Sequence, residues 1–194
     1  SILKSFCRDI KTANEYGENA FALQLALKPL IFAMLQLDLS TMETLLSECL
    51  HATKEIFSLG DTPKEECNLL FELYTQLICE DEQEMIVSYA LQCLSFFISR
   101  KNKYVNAFTE EHFGRLLELV RSQKADVAMN TANILSWICR EKSLFGFFTE
   151  NELPDILFDA INYFAVRREA APTYSLLNCF LSLCENDHSL ISFF

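Results

Sequence analysis

Three stretches of the chain are near-copies of one another: LSFFISRKNKYVNAF at 94–108, LSWICREKSLFGFF at 135–148 and LSLCENDHSLISFF at 181–194. Each opens Leu-Ser-apolar and closes on Phe. Phe108-Thr109-Glu110-Glu111 and Phe148-Thr149-Glu150-Asn151 lie 40 residues apart. At that offset Phe113 meets Leu153, Leu116 meets Ile156 and Leu117 meets Leu157. Stepping back by 40, Trp137 meets Phe97, Ile138 meets Ile98 and Arg140 meets Arg100. The last copy aligns at 46, pairing Leu135 with Leu181, Leu144 with Leu190 and Phe147 with Phe193, so a longer element is expected around 163–169. A period of about 40 residues with two or three helices per unit is the mark of stacked helical repeats, because one such unit cannot bury its apolar face alone. The phrase recurs because the packing problem recurs. Leu and the apolar residue two places on turn toward neighbours, Ser permits close helix approach, and the final Phe plugs the junction between layers.

The spacing between these landmarks is helical. Leu116, Leu117 and Val120, then Val127, Ala128, Ala132, Leu135 and Ile138, recur at three to four residues. With only 4 Gly and 4 Pro among 194 residues, the chain lacks the turn residues an open α/β or all-β fold needs. Helices are expected at 3–15, 19–37, 41–58, 63–79, 83–100, 110–122, 125–141, 151–165 and 170–185, with short turns at 103–107, 143–147 and 188–193. Capping boxes are expected at Ser40–Glu43, Thr62–Glu65 and Thr149–Glu152, and a variant at Thr109 with His112 in place of Glu. The run 20–37 reads as a helix apolar all round, carrying Lys28 and Pro29 at its middle.

HFGRLLELV (112–120) resembles the middle helix of an armadillo repeat, and TANILSWI (131–138) resembles its third helix, with HEAT repeats the nearest alternative. The resemblance is good over 83–194 and loose over 19–82. It implies an all-α fold: a right-handed α-α superhelix, an armadillo-like solenoid of about four repeats near 19–58, 63–108, 109–148 and 149–194. The chain reads as one such domain cut from a longer protein. The implied function is a non-enzymatic scaffold that binds a partner protein segment along the groove lined by the third helices. The residues that would carry it are Phe97, Arg100, Asn130, Asn133, Trp137 and Arg140: aromatic anchors, amides for a peptide backbone, and cations for steering. Peptide-binding members of the family set Trp four residues before Asn. Here Asn133 precedes Trp137, which counts against a transport receptor. The other readings are a regulatory and dimerisation module like those of formin-type cytoskeletal regulators, which would form a homodimer, and a transport adaptor.

Charge narrows the partners. The net charge is −11, with 15 acidic and 6 basic residues through position 97 and 12 and 10 beyond it. Such a chain repels phosphate backbones, so no nucleic acid is expected. No apolar run reaches a membrane span of roughly 18 residues, and no membrane partner is expected. The 8 Cys form no C-x-x-C and sit in apolar runs, as in a reducing, cytoplasmic compartment. His51, His112 and His188 lie apart from one another and from any Cys in metal-ligand spacing, so no metal or cofactor is expected. No phosphate loop or G-x-S-x-G occurs, and no enzymatic activity is expected. The cations Arg100, Lys101 and Lys103, then Arg140 and Lys142, follow successive third helices and complement their C-terminal dipoles. Arg167 and Arg168 would extend that basic series.

Overall fold

The computed structural model describes Ser5, Asp9 and residues 26–36, 43–58, 62–80, 83–141 and 145–185. Among these residues every regular element is helical. The chain divides into two compact units, Ser1–Phe97 and Ile98–Phe194.

The first unit holds α1 (Leu27–Gln36), α2 (Glu43–Ser58), α3 (Lys64–Glu80) and most of α4 (Glu84–Arg100), which continues three residues past the division. On α1, Leu27, Leu30, Ile31 and Met34 are buried at helical spacing, and the helix packs on α2 and α3. Its outer face carries Phe32, 42% exposed, and Lys28, whose Nζ meets Glu65 Oε1 at 2.7 Å. The described part of the 20–37 run thus buries one face and turns Pro29 and Phe32 outward beside Lys28. Pro29 falls in the first turn, where its missing N–H costs nothing. The core joins Phe57 to Phe97 at 5.1 Å between ring centroids, with Phe71 and Tyr74 each 6.4 Å from Phe97. Polar bonds tie these helices together. Thr53 donates to the Leu50 carbonyl at 2.8 Å and so accepts from the Tyr74 hydroxyl at 2.8 Å, while Cys93 Sγ donates to the same Leu50 carbonyl at 3.5 Å.

The second unit holds a 3₁₀ helix (Asn102–Ala107), α5 (Glu110–Leu119), α6 (Ala125–Ile138), α7 (Phe145–Glu150), α8 (Leu153–Val166) and α9 (Ala170–Cys184). α6 packs on α9, and α9 packs on α8. Phe113 stacks on Phe108 at 6.0 Å and lies 5.4 Å from Phe147 and 5.7 Å from Phe148. Phe108 and Phe148, the closing residues of two phrases, are both buried. The pairs Phe113/Leu153, Leu116/Ile156 and Leu117/Leu157 are also buried in both copies. The extra length expected around 163–169 is present: α8 runs 14 residues against 10 for α5, then turns through Arg168 at φ 63°.

Helix starts divide the expected caps. Thr109 Oγ1 accepts from the His112 N–H at 3.4 Å, and the Thr109 N–H donates to His112 Nδ1 at 3.1 Å, so the histidine completes the box. Thr62 does not cap α3. Its Oγ1 is buried without a partner, and Lys28 engages the Glu65 carboxylate. The start expected at Thr149–Glu152 is not where α8 begins, because α7 runs to Glu150 and the chain turns at Glu152 (φ 57°) before Leu153. Ser40, the 188–193 turn, all of 3–15 except Ser5 and Asp9, and residues 19–25 lie outside the described residues.

Burial also corrects the register of the copies. Buried and exposed positions of α4 mostly match those of α6 at an offset of 41, with Tyr89 against Asn130 the exception, and those of α6 mostly match α9 at 45, except that Ser136 and Trp137 meet Leu181 and Ser182 with their burial reversed. Ile138 thus pairs with Phe97 and with Leu183, all buried. Leu181 is 59% exposed, unlike Leu94 and Leu135, so the Leu-Ser phrases align by letter but not by face in the last copy.

Candidate functional site

The outward stripe of α6 runs through Asp126, Met129, Asn133 and Trp137 to Arg140, spaced three or four residues apart between buried positions. On α9 the outward stripe is Ala171, Tyr174, Asn178, Leu181 and Glu185; at the offset of 45 Ala171, Tyr174, Asn178 and Glu185 meet Asp126, Met129, Asn133 and Arg140, while Trp137 meets the buried Ser182 and Leu181 sits one residue earlier. Tyr174 is 73% exposed, a large aromatic ring with most of its surface in solvent. Because α6 and α9 pack on each other, two amides and a set of large apolar side chains are carried by one helix pair.

The expected site residues separate into two sets. Trp137 and Asn133 are half-buried on the α6 stripe, and Arg140 is exposed at its end with its guanidinium 4.7 Å from the Trp137 ring centroid. Arg100 is exposed in the last turn of α4. Phe97 and Asn130 face inward. Phe97 is 1% exposed, enclosed by Phe57, Phe71 and Tyr74, and has no surface to offer a partner. Asn130 is 7% exposed, and its amide donates to the Asp126 carbonyl one turn back at 2.8 Å. The α4 counterpart of Trp137 is Phe96, which is half-buried and has Lys54 Nζ 5.5 Å from its centroid. The amide position is held by Gln92, Asn133 and Asn178 in turn.

Met129, Tyr174, Asn178 and Leu181 were not expected. Letter alignment at 46 put Cys179 and Leu183 opposite the α6 pair, and both are buried. Matching Asn133 with Asn178 and Cys139 with Cys184 would have given 45 and found Tyr174 and Asn178, though not Leu181, which at 45 falls opposite the buried Ser136. Ser136 and Ser182 are buried and bond back to the carbonyls of Asn133 and Asn178 at 2.8 and 3.1 Å. Their hydroxyls are thereby satisfied within each helix, and the small side chains leave room for the α6–α9 contact.

Acid–base chemistry is muted elsewhere. Burial pushes the Cys93 thiol up to about 12, against the pull of Lys54. Burial and the neighbouring Cys179 thiol hold Cys139 well above its ordinary value. Both shifts move away from the thiolate that a nucleophile or metal ligand requires. Burial lowers the His112 pKa, opposed by Glu111, and its Nδ1 is already occupied in the cap. Among the described residues no group of three or more His, Cys, Asp or Glu is placed to hold a metal ion, and no helix is long and apolar enough to cross a membrane. Comparisons with family models, curated proteins and solved structures returned no match to this chain.

Proposed function

We propose that the chain is a non-enzymatic protein-interaction scaffold, an armadillo-like right-handed superhelix of about four repeats that binds a partner segment along its third helices. The observation that carries this is the outward stripe on each of two packed helices, Met129-Asn133-Trp137 on α6 and Tyr174-Asn178-Leu181 on α9, with their amides in one register. Large half-exposed apolar groups flanking amides suit an extended peptide: the apolar groups take alternate side chains and the amides take its backbone. Arg140 over Trp137 adds a cation at the end of the stripe. The acid excess and the reducing-type cysteine usage fit a protein partner inside the cell rather than a nucleic acid.

The test is a selection of random peptides on the purified chain, followed by binding to a Trp137→Ala/Asn133→Ala double variant. Loss of about tenfold or more in affinity is expected if Trp137 is an anchor. Selected peptides that bind the variant undiminished would sink the groove reading. The exposed Tyr174 and Leu181, with Val166 at 84% exposure, favour a second reading as a self-association module. Light scattering separates the two: a dimer that persists on dilution and dissociates with Tyr174→Ala/Leu181→Ala supports self-association, and a monomer leaves the stripes for a peptide.

A further inference from the structure

A cleft of about 340 Å³ opens in the second unit between the turn after α5 and the outer side of α8. It shares no residue with the α6 and α9 stripes. Its floor is apolar: Ile156, Ala160 and Phe164 lie one turn apart on α8 and are all buried. Its rim is acidic: Asp155 and Asp159 stand one turn apart on the same helix, both exposed, with Glu152 just before its first turn. The opposite wall carries Arg121 and Gln123, and Gln123 Oε1 accepts from the Tyr163 hydroxyl at 3.4 Å, which closes one end. Arg167 lies 4.5 Å from the Tyr163 centroid and 3.6 Å from Glu169, so its charge is committed outside the cleft. Glu152, Asp155, Asp159 and Arg121 make no ion pair with any described residue.

An apolar floor under two unpaired carboxylates fits an amphipathic cation: an aliphatic stem to cover Ile156 and Ala160, and a charged head to bridge Asp155 and Asp159. The volume lies at the low end of the roughly 300–1,000 Å³ of ligand pockets, which suits one long side chain rather than a cofactor. Arg121 decides the source of that cation. It repels a free polyamine, whose charge continues along the chain, but it can donate to the backbone carbonyls that flank a basic residue in a peptide. We propose that this cleft is a second docking point, which receives an arginine side chain carried on a segment of a partner protein.

The probe is the capped tripeptide acetyl-Ala-Arg-Ala-amide, titrated into the ¹⁵N-labelled full chain, with acetyl-Ala-Glu-Ala-amide and spermidine as comparators. Saturable shifts confined to 121–123 and 152–164 are expected with the arginine peptide alone. Asp155→Asn/Asp159→Asn should weaken binding about tenfold. Glu72→Gln/Glu118→Gln, which changes the net charge equally on other exposed helix faces, should leave it unchanged. Asp159→Asn alone, outside the first turn of α8, should show an intermediate loss and keeps the test open if the double variant is unstable. Shifts scattered over the acidic surface, equal weakening by both charge-matched pairs, or spermidine binding at least as tightly as the peptide would each overturn the proposal.

Discussion

The two units solve one packing problem with different chemistry. In the first, two buried polar contacts reach between helices, Tyr74 on α3 to Thr53 on α2 and Cys93 on α4 to the Leu50 carbonyl on α2, while Thr75 bonds back to Phe71 on its own helix. In the second, the buried hydroxyls and amide bond back to their own helix, as Thr131 does to Val127, Ser136 to Asn133, Ser182 to Asn178 and Asn130 to Asp126. There the aromatic group Phe108, Phe113, Phe147 and Phe148 does the joining. A repeat therefore needs to conserve only which face of each helix is apolar. Both units carry an aromatic cluster, so the interhelical bonds of the first add to aromatic interlock rather than stand in for it.

The largest effects should come from the aromatic centres of each unit. Phe97→Ala and Phe148→Ala each remove a ring that is fully enclosed, and each should cost about 3–5 kcal/mol. Denaturant midpoints read the loss, and amide exchange should localise it to α2–α4 for Phe97 and to α5–α8 for Phe148. A loss below about 1 kcal/mol at either position would mean that the site collapses freely, and the contrast between the units would fail there.

Much of this was legible in the letters. The helical period announced α2 to α6, α8 and α9 to within a few residues of their ends, with α7 expected only as a short turn at 143–147, and the closing Phe residues at 108 and 148 are both buried. What escaped was the angular setting of each helix. Echoed words align by identity, so Leu181 was matched to Leu135, but a helix advances about 100° per residue and a slip of one turns a buried residue outward. The same slip made Phe97 rather than Phe96 the partner of Trp137. Cap residues failed for a related reason. Nothing local says that Lys28, 37 residues away, will claim Glu65, or that Thr149 will be absorbed into α7.

Tyr74→Phe against Thr131→Val tests the polar half of the comparison. The first removes a hydroxyl that bridges two helices and should cost about 1 kcal/mol. The second removes one that bonds only the carbonyl one turn back and should cost about 0.5 kcal/mol or less. Equal costs in thermal unfolding would erase the distinction between bridging and local bonds. Gly114→Ala moves the other way. A methyl at Gly114 in α5 meets nothing within 4 Å, so the change should stabilise by about 0.5–1 kcal/mol. Failure to stabilise would show that α5 is constrained by more than helix propensity.

His112 adds a pH dependence that belongs to the second unit. The folded ring is held neutral, because burial lowers its pKa and its Nδ1 accepts from the Thr109 N–H. The unfolded ring takes up a proton near the ordinary 6.5, so in this window the unfolded state binds more protons. The cap's contribution is complete above that pH and is lost as pH falls through the lower folded value. His112→Gln, which can still complete the box, should flatten this acid-side slope while leaving helix content unchanged. A slope that survives the substitution would assign it to another group.

The smallest effect compares the two cation–aromatic pairs at one repeat position. Arg140 lies 4.7 Å from the Trp137 centroid, and Lys54 lies 5.5 Å from that of Phe96. Trp offers the stronger face and arginine the better stacking cation, so double-mutant cycles should give about 0.5–1 kcal/mol for Arg140 with Trp137 and less for Lys54 with Phe96. If the two couplings are equal, the pairs are the same structural brace repeated, and Trp137 has no special part. If the Trp137 pair is the stronger and Arg140→Ala also lowers affinity for selected peptides by more than its stability cost explains, the pair acts in recognition. The guanidinium would then hold the indole in a single orientation at the end of the α6 stripe, which rigidifies an anchor before a partner arrives.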